Sequence, residues 1–153
     1  MVKKIRGFEK ISTETDNEQV KLPVRSTAGS AAYDLYSPVE LTVPAGYTAK
    51  IKTGVKVYMQ SDEGFFIITR SGNGTKRRVT LSNNVGLVDS DYYNNEDNEG
   101  EIIVFLANDG EDDFEIKQGD RIAQGYFQKI LLADDDKTIM DSRTGGFGST
   151  GSR

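Results

Sequence analysis

Ile102-Ile103-Val104-Phe105-Leu106 is a continuous apolar run that stops at the turn signal Asn108-Asp109-Gly110. A run this short, rich in β-branched residues, reads as a strand buried on both faces. Phe65-Phe66-Ile67-Ile68-Thr69 reads the same way, behind the turn Asp62-Glu63-Gly64. Further out, Ile51 to Tyr58 alternates in part, and Arg121 to Ile130 is another strand candidate after Gln118-Gly119-Asp120. Pro44-Ala45-Gly46 marks one more turn. Many short strands with regular punctuation predict an all-β, jelly-roll-like sandwich or barrel. No long helical stripe competes with it. One short helix is expected after Arg70, with Ser71 as its cap. The glycines at positions 72 and 74 weaken that helix.

The chain of 153 residues suits a single domain with a core of its own. It contains no cysteine and no histidine. Disulfides, thiolate sites, His-ligated metals and Ser-His-Asp chemistry are thereby excluded. Proton transfer near neutral pH falls to Asp, Glu, Lys, Tyr or a held water. The formal net charge is 19 − 24 = −5. An acidic chain is a poor non-specific binder of nucleic acid, so no nucleic-acid partner is expected. Met1 to Lys10 lacks the apolar run of a signal peptide, and no run is long enough to span a membrane. The expectation is a soluble, cytoplasmic protein with no membrane partner.

Several stretches carry possible chemistry, each beside a blander reading. Arg143-Thr144-Gly145-Gly146-Phe147-Gly148-Ser149-Thr150-Gly151 offers exposed N–H groups that suit a phosphate cradle. Arg143 can fork onto a phosphate, and Phe147 can cover a base. Composition alone reads the same stretch as a floppy terminus. Asp89-Ser90-Asp91-Tyr92 sets two carboxylates two residues apart at a strand end, where they can point the same way. Taken alone it is an ordinary acidic turn. Arg70-Ser71-Gly72 reads as a surface turn, and Gly119 to Gln124 as a turn leading into a strand. Asp34, between Tyr33 and Leu35, needs hydrogen-bonding partners if it is buried. Lys76-Arg77-Arg78 reads as a solvated basic face, and Asn94 to Asn98 as a polar, acidic insertion outside the core.

Order and spacing are more specific than any single stretch. Ala31 to Ser37, Arg70-Ser71-Gly72, Asn83 with Gly86 to Tyr92, Gly119 to Gln124, and Arg143 to Gly151 follow one another along the chain. Together they resemble the five motifs of the trimeric dUTPase family, from about Pro23 to the end. The third and fifth motifs are the most specific and the second the least.

The resemblance implies a β-clip fold that hydrolyses dUTP to dUMP and pyrophosphate. That reaction keeps uracil out of DNA and supplies dUMP for thymidylate synthesis. It implies a homotrimer, with a β domain over 1–142 and an arm over 143–153 that closes a neighbouring subunit's site. Asp89 matches the carboxylate that activates water for attack on the α-phosphorus. Gly86 and Val88 match main-chain positions that grip uracil, Asn83 adds a side-chain contact, and Tyr92 lies under the deoxyribose. Arg70, Ser71, Gly72 and Gln124 match the phosphate-binding positions. Arg143, Phe147, Gly148, Ser149 and Thr150 match the closing arm, with Arg143 on the γ-phosphate and Phe147 over uracil. The cofactor implied is Mg²⁺ on the triphosphate, its water shell held by Asp34.

Two positions depart from the family pattern. Thr69 precedes Arg70 where the family usually has Pro. Residues 93–99 separate Tyr92 from Gly100-Glu101, which usually follow almost at once; some Gram-positive and phage members are similar here. Two other readings share the fold. A dCTP deaminase-like enzyme is disfavoured because Asp89 to Tyr92 resembles the hydrolase hairpin. A phage-type regulatory protein is disfavoured as a sole role because every matched catalytic position is intact, although an unknown protein partner for the insertion is compatible with the sequence.

Overall fold

In the computed structural model, residues 2–141, 143, 145, 146 and 150 are described. Two four-stranded antiparallel sheets face each other. The first runs β1 (Gly7–Lys10), β4 (Thr48–Tyr58), β8 (Glu101–Asn108) and β6 (Val79–Leu81). The second runs β2 (Tyr33–Tyr36), β10 (Arg121–Lys129), β5 (Glu63–Ile68) and β7 (Gly86–Asp89). β3 (Leu41–Val43) pairs with β9 (Phe114–Ile116) as a separate ribbon. The all-β, jelly-roll-like expectation holds.

One apolar core joins the sheets. Ile51, Val57, Ile102, Val104 and Leu106 come from the first, and Leu35, Phe65, Ile67, Val88 and Ile122 from the second. Fully burying each such side chain contributes about 1.5–3 kcal/mol. Phe8 of β1 reaches across to Phe65, with ring centroids 5.4 Å apart, and to Tyr33 at 5.2 Å. This aromatic contact ties the N-terminal strand to the opposite sheet.

The structure corrects two local readings. Ile102 to Leu106 and Phe65 to Ile68 are not buried on both faces; Ile103, Phe105, Phe66 and Ile68 are only half-buried. An antiparallel sheet packs one face on the core, and the apolar residues on its other face await separate cover. The expected helix exists as α1 (Ser71–Arg77), but Arg70 is its N-cap and no side chain caps it. Ser71 is the first helical residue, and its carbonyl accepts from Thr75 Oγ1 at 2.7 Å. The helix ends at Arg78 in a left-handed conformation, with its N–H donating to the Asn73 carbonyl.

The outer face of the second sheet is laid out in cross-strand rows. Asp34, Gln124 and Ile68 stand in one row, and Tyr126, Phe66 and Leu87 in the next. Phe66 and Tyr126 stack with centroids 5.6 Å apart, and Leu87 is 60% exposed. Asp89 lies one row further, level with Gly64 and Gln128.

Candidate functional site

β7 is an edge strand, paired only with β5 among the described residues. Its far side therefore presents main-chain donors and acceptors that no sheet neighbour takes up. Beside this edge lies a cavity of about 150 Å³. Ile67, Ile102 and Val88 form its apolar wall, with Asn83, Asp89 and Tyr92 around it. A cavity of this size accommodates a single six-membered ring. Apolar faces and unpaired main-chain groups at one edge suit a flat base read by hydrogen bonds.

Tyr92 is held firmly in the wall of this cavity. It ends a 3₁₀ turn, Ser90–Tyr92, directly after β7. Its hydroxyl donates to the Glu101 carbonyl at 2.9 Å and accepts from Asn98 Nδ2 at 2.8 Å. Burial pushes its pKa above the ordinary tyrosine value, so it stays a neutral phenol. Gly100, at φ +88°, makes this packing possible. A Cβ there would lie 2.8 Å from the Tyr92 carbonyl oxygen.

Asp89 ends β7 and Asp91 lies in the 3₁₀ turn that follows, so strand alternation does not align them; both meet Arg143 instead. Arg143 Nη2 donates to Asp89 Oδ2 at 2.7 Å, and the Arg143 main-chain N–H donates to Asp91 Oδ2 at 2.9 Å. The guanidinium also lies 5.5 Å from the centre of the Tyr92 ring. Arg143 thus meets the Asp89 hairpin of its own chain. Asp89 keeps 49% of its side chain exposed, within reach of water at the pocket mouth.

A second group of predicted residues sits elsewhere on the same sheet. Asp34 is only 6% exposed and accepts from Ser26 Oγ at 2.8 Å. Arg70 Nε and Arg121 Nη1 stand 3.6 and 3.7 Å from its two oxygens. These cations compensate a carboxylate that burial would otherwise disfavour. Gln124 Nε2 donates to the Thr69 carbonyl at 3.3 Å, which brings the Arg70 turn against β10. Thr69 Oγ1 accepts from the Leu81 N–H at 3.0 Å, which pins the turn to β6. Ser71 and Gly72 are exposed at the start of α1.

The two groups are separated. Asp34 lies three strands from β7, about 14 Å, and its row is four residues along from that of Asp89, about 13 Å, giving roughly 19 Å in all. Within the chain, Asn83, Gly86, Val88, Asp89, Tyr92 and Arg143 come together, and Asp34, Arg70 and Gln124 form the other corner. Phe147, Gly148 and Ser149 lie outside the described residues, and Thr150 is exposed. Among the described residues no cluster of three or more acidic, histidine or cysteine side chains forms a metal cage. Asp34 already meets Ser26 and two guanidiniums, so an ion beside it would have to keep its waters and take its direct ligands from phosphate.

The sequence reading gave no role to Ser26 or Arg121 and took Asp91 only as the second of two paired carboxylates. Arg121 lay inside a quoted motif, but its partnership with Asp34 follows only from strand register. Ser26 carried no signal, because it reaches Asp34 through the loop before β2.

The chain is a β-sandwich with a ring-sized pocket at the free edge of one strand, where Asp89, Tyr92 and Arg143 meet. A family model described as dUTPase matches residues 18–151. The deoxyuridine 5'-triphosphate nucleotidohydrolase of Lactococcus lactis is 42% identical over 149 residues, covering 97% of this chain and 99% of that protein. The protein of the same description from Desulfitobacterium hafniense is 37% identical, covering 93% and 95%. Among solved structures, the dUTPase of Streptococcus mutans superposes with a TM-score of 0.76 at 41% identity, covering 84% of this chain and 98% of that one. A dUTPase from a staphylococcal phage, phi11, shares the fold at a TM-score of 0.71 and 18% identity, covering 90% and 97%. This chain belongs to the dUTPase family.

Proposed function

We propose that this protein hydrolyses dUTP to dUMP and pyrophosphate, with Asp89 as the base. The observation that carries the reading is Asp89 at the open mouth of a ring-sized pocket, on the strand whose free main-chain edge lines it. Uracil enters against Gly86 and Val88, with Asn83 completing its hydrogen-bonded edge. Cytosine would leave donors and acceptors unmatched there, which is costly in a desolvated site. Tyr92, locked by its hydroxyl bonds, sets a floor under the deoxyribose that a 2′-hydroxyl would strike.

In the chemical step Asp89 takes a proton from water as the water oxygen bonds to the α-phosphorus. The bond from the α-phosphorus to the bridging oxygen breaks, and pyrophosphate leaves. Arg70, Ser71, Gly72 and Gln124 hold the phosphate chain, so catalysis rests on positioning and charge neutralisation. Asp34 would hold the water shell of Mg²⁺, which when bound neutralises triphosphate charge. Arg143 exchanges Asp89 for the γ-phosphate when substrate arrives. Phe147 then covers uracil, and Gly148, Ser149 and Thr150 close on the phosphates.

The separation of roughly 19 Å between Asp34 and Asp89 supports a site shared between copies. A nucleotide seated at one hairpin meets a phosphate-binding corner only if a second copy brings it. The apolar row Tyr126, Phe66 and Leu87 between the two corners suits cover by that copy. We therefore assign a homotrimer, residues 1–142 as the β domain and 143–153 as the closing arm. No described helix is long and apolar enough to cross a membrane, and we assign a cytoplasmic location, where deoxynucleotides are made.

The test is pyrophosphate release from dUTP, dCTP, dTTP and UTP with Mg²⁺, products separated by chromatography. Turnover of dUTP alone is expected. Ammonia from dCTP would move the chain to the deaminase branch, and silence on all four would leave a regulatory role.

A further inference from the structure

Residues 93–99 are built as a rigid ledge. Asn95 is only 8% exposed. Its Nδ2 donates to the Tyr92 carbonyl and to Asn98 Oδ1, both at 2.8 Å. Its Oδ1 accepts from the N–H groups of Asp97 and Asn98 at 3.0 and 3.1 Å. Lys56 Nζ, on β4, donates to Asn94 Oδ1 and to Glu99 Oε1, both at 2.7 Å. Glu99 in turn accepts from the Ser12 N–H and hydroxyl. A loop kept only because surface loops tolerate length has no need of this bracing.

One side chain on the ledge reaches outward. Asp97 Oδ2 accepts from the Gly146 N–H at 2.7 Å. The same carboxylate lies against Gly145, so close that a Cβ at 145 would overlap it. Three residues back, Arg143 holds Asp89 and Asp91. The arm therefore touches the hairpin at two places, one in the pocket and one on the ledge.

We propose that Asp97 is a positioning residue that latches the C-terminal arm over the pocket. The inference rests on the reading of 143–153 as the closing arm. When Arg143 leaves Asp89 for the γ-phosphate, the Asp97–Gly146 bond keeps Gly146 registered on the hairpin. Asp97 contacts neither base nor phosphate; it acts through the arm. The ledge serves an arm of its own chain or of a second copy alike, because either must lie on the Gly86–Tyr92 hairpin.

The test is the affinity of the non-hydrolysable α,β-imido analogue of dUTP, in the full chain and in a chain ending at Ser142. Among the described residues the apolar core contains nothing beyond Phe127, so the shorter chain keeps all of it. In the full chain Asp97→Ala should weaken binding roughly five- to ten-fold, because an arm no longer registered beforehand must be ordered when the nucleotide binds. Asp97→Asn, which keeps an oxygen acceptor, should stay within about threefold of the unmodified protein. In the shorter chain Asp97→Ala should change nothing beyond error. Equal weakening in both chains would overturn the latch, because Asp97 would then act through the hairpin. An unchanged full chain, alongside strong weakening on truncation, would also overturn it while leaving the arm reading intact. Truncation without effect on affinity or turnover would remove the arm reading and the latch with it.

Discussion

Asp89→Asn isolates the proposed base with little structural disturbance. The substitution keeps size and shape and removes one negative charge. Asp89 is half exposed at the end of an edge strand and supports no core contact. Its loss leaves Arg143 with Asp91, whose Oδ1 stands 3.5 Å from Nε, so the cation is not stranded. Stability should change by no more than about 1 kcal/mol, the upper end for an ion pair with a solvent-exposed partner. Turnover should fall about 10²- to 10⁴-fold, the usual contribution of a positioned base. Affinity for the α,β-imido analogue should hold or rise slightly, since the nucleotide's phosphates no longer face the Asp89 carboxylate. Single-turnover quench for the chemistry, and calorimetry for the binding, separate the two effects. Turnover above about a tenth of the unmodified protein, with folding intact, would remove Asp89 as the base.

Three further outcomes are expected. Tyr92→Phe leaves the Glu101 carbonyl and the Asn98 amide without their partner; urea unfolding should show a loss of about 1–3 kcal/mol, and a loss below measurement error would mean the hydroxyl is not structural. Glu99 has its pKa lowered to about 2 from 4.5, chiefly by hydrogen bonds from Lys56 and Ser12. A depressed carboxylate stabilises the fold above its unfolded pKa, and that contribution is lost as pH falls from about 4.5 towards 2; Glu99→Gln should flatten the acid limb of stability in that window, and an unaltered limb would refute the assignment. Mixing Asp89→Asn with a chain lacking 143–153, under subunit exchange, should restore activity to two inactive preparations if the arm closes a neighbour's site; continued inactivity despite proven exchange would refute closure across copies and keep the arm on its own hairpin, where Arg143 meets Asp89.

The fold was legible because strand length and turn chemistry are local. Ile102 to Leu106, stopped by Asn108-Asp109-Gly110, needed no tertiary information to be called a strand. What locality could not supply was the number of buried faces. Phe66, Ile68 and Leu87 look like core in sequence, yet they stand on the outer face of the second sheet. Apolar periodicity cannot distinguish a face that meets the chain's own core from one that a second copy would cover. Ser71 misled for a related reason: a serine at a helix start is a common cap, but here the cap falls one residue earlier, at Arg70, and Ser71 is already helical.

The site was legible only through the order of its motifs, and the geometry explains why. A compact single-chain site would leave its catalytic residues close in space. Here Asp34 and Asp89 share one face of one sheet at roughly 19 Å. Each corner taken alone resembles a bland feature, a compensated buried carboxylate or an acidic turn. In the shared-site proposal, chemistry appears only when the corners of different copies are set against one nucleotide. The 93–99 ledge is the reverse case. Its composition, six residues of Asn, Asp and Glu in a row from Asn94, suggested a solvated insertion. Yet Asn95 saturates its own amide inside the loop, and Asn98 reaches the Tyr92 hydroxyl. Polar residues that satisfy one another can order a segment as firmly as apolar ones. A ledge ordered in this way can hold the phenol of Tyr92 from one side while offering Asp97 to the arm on the other.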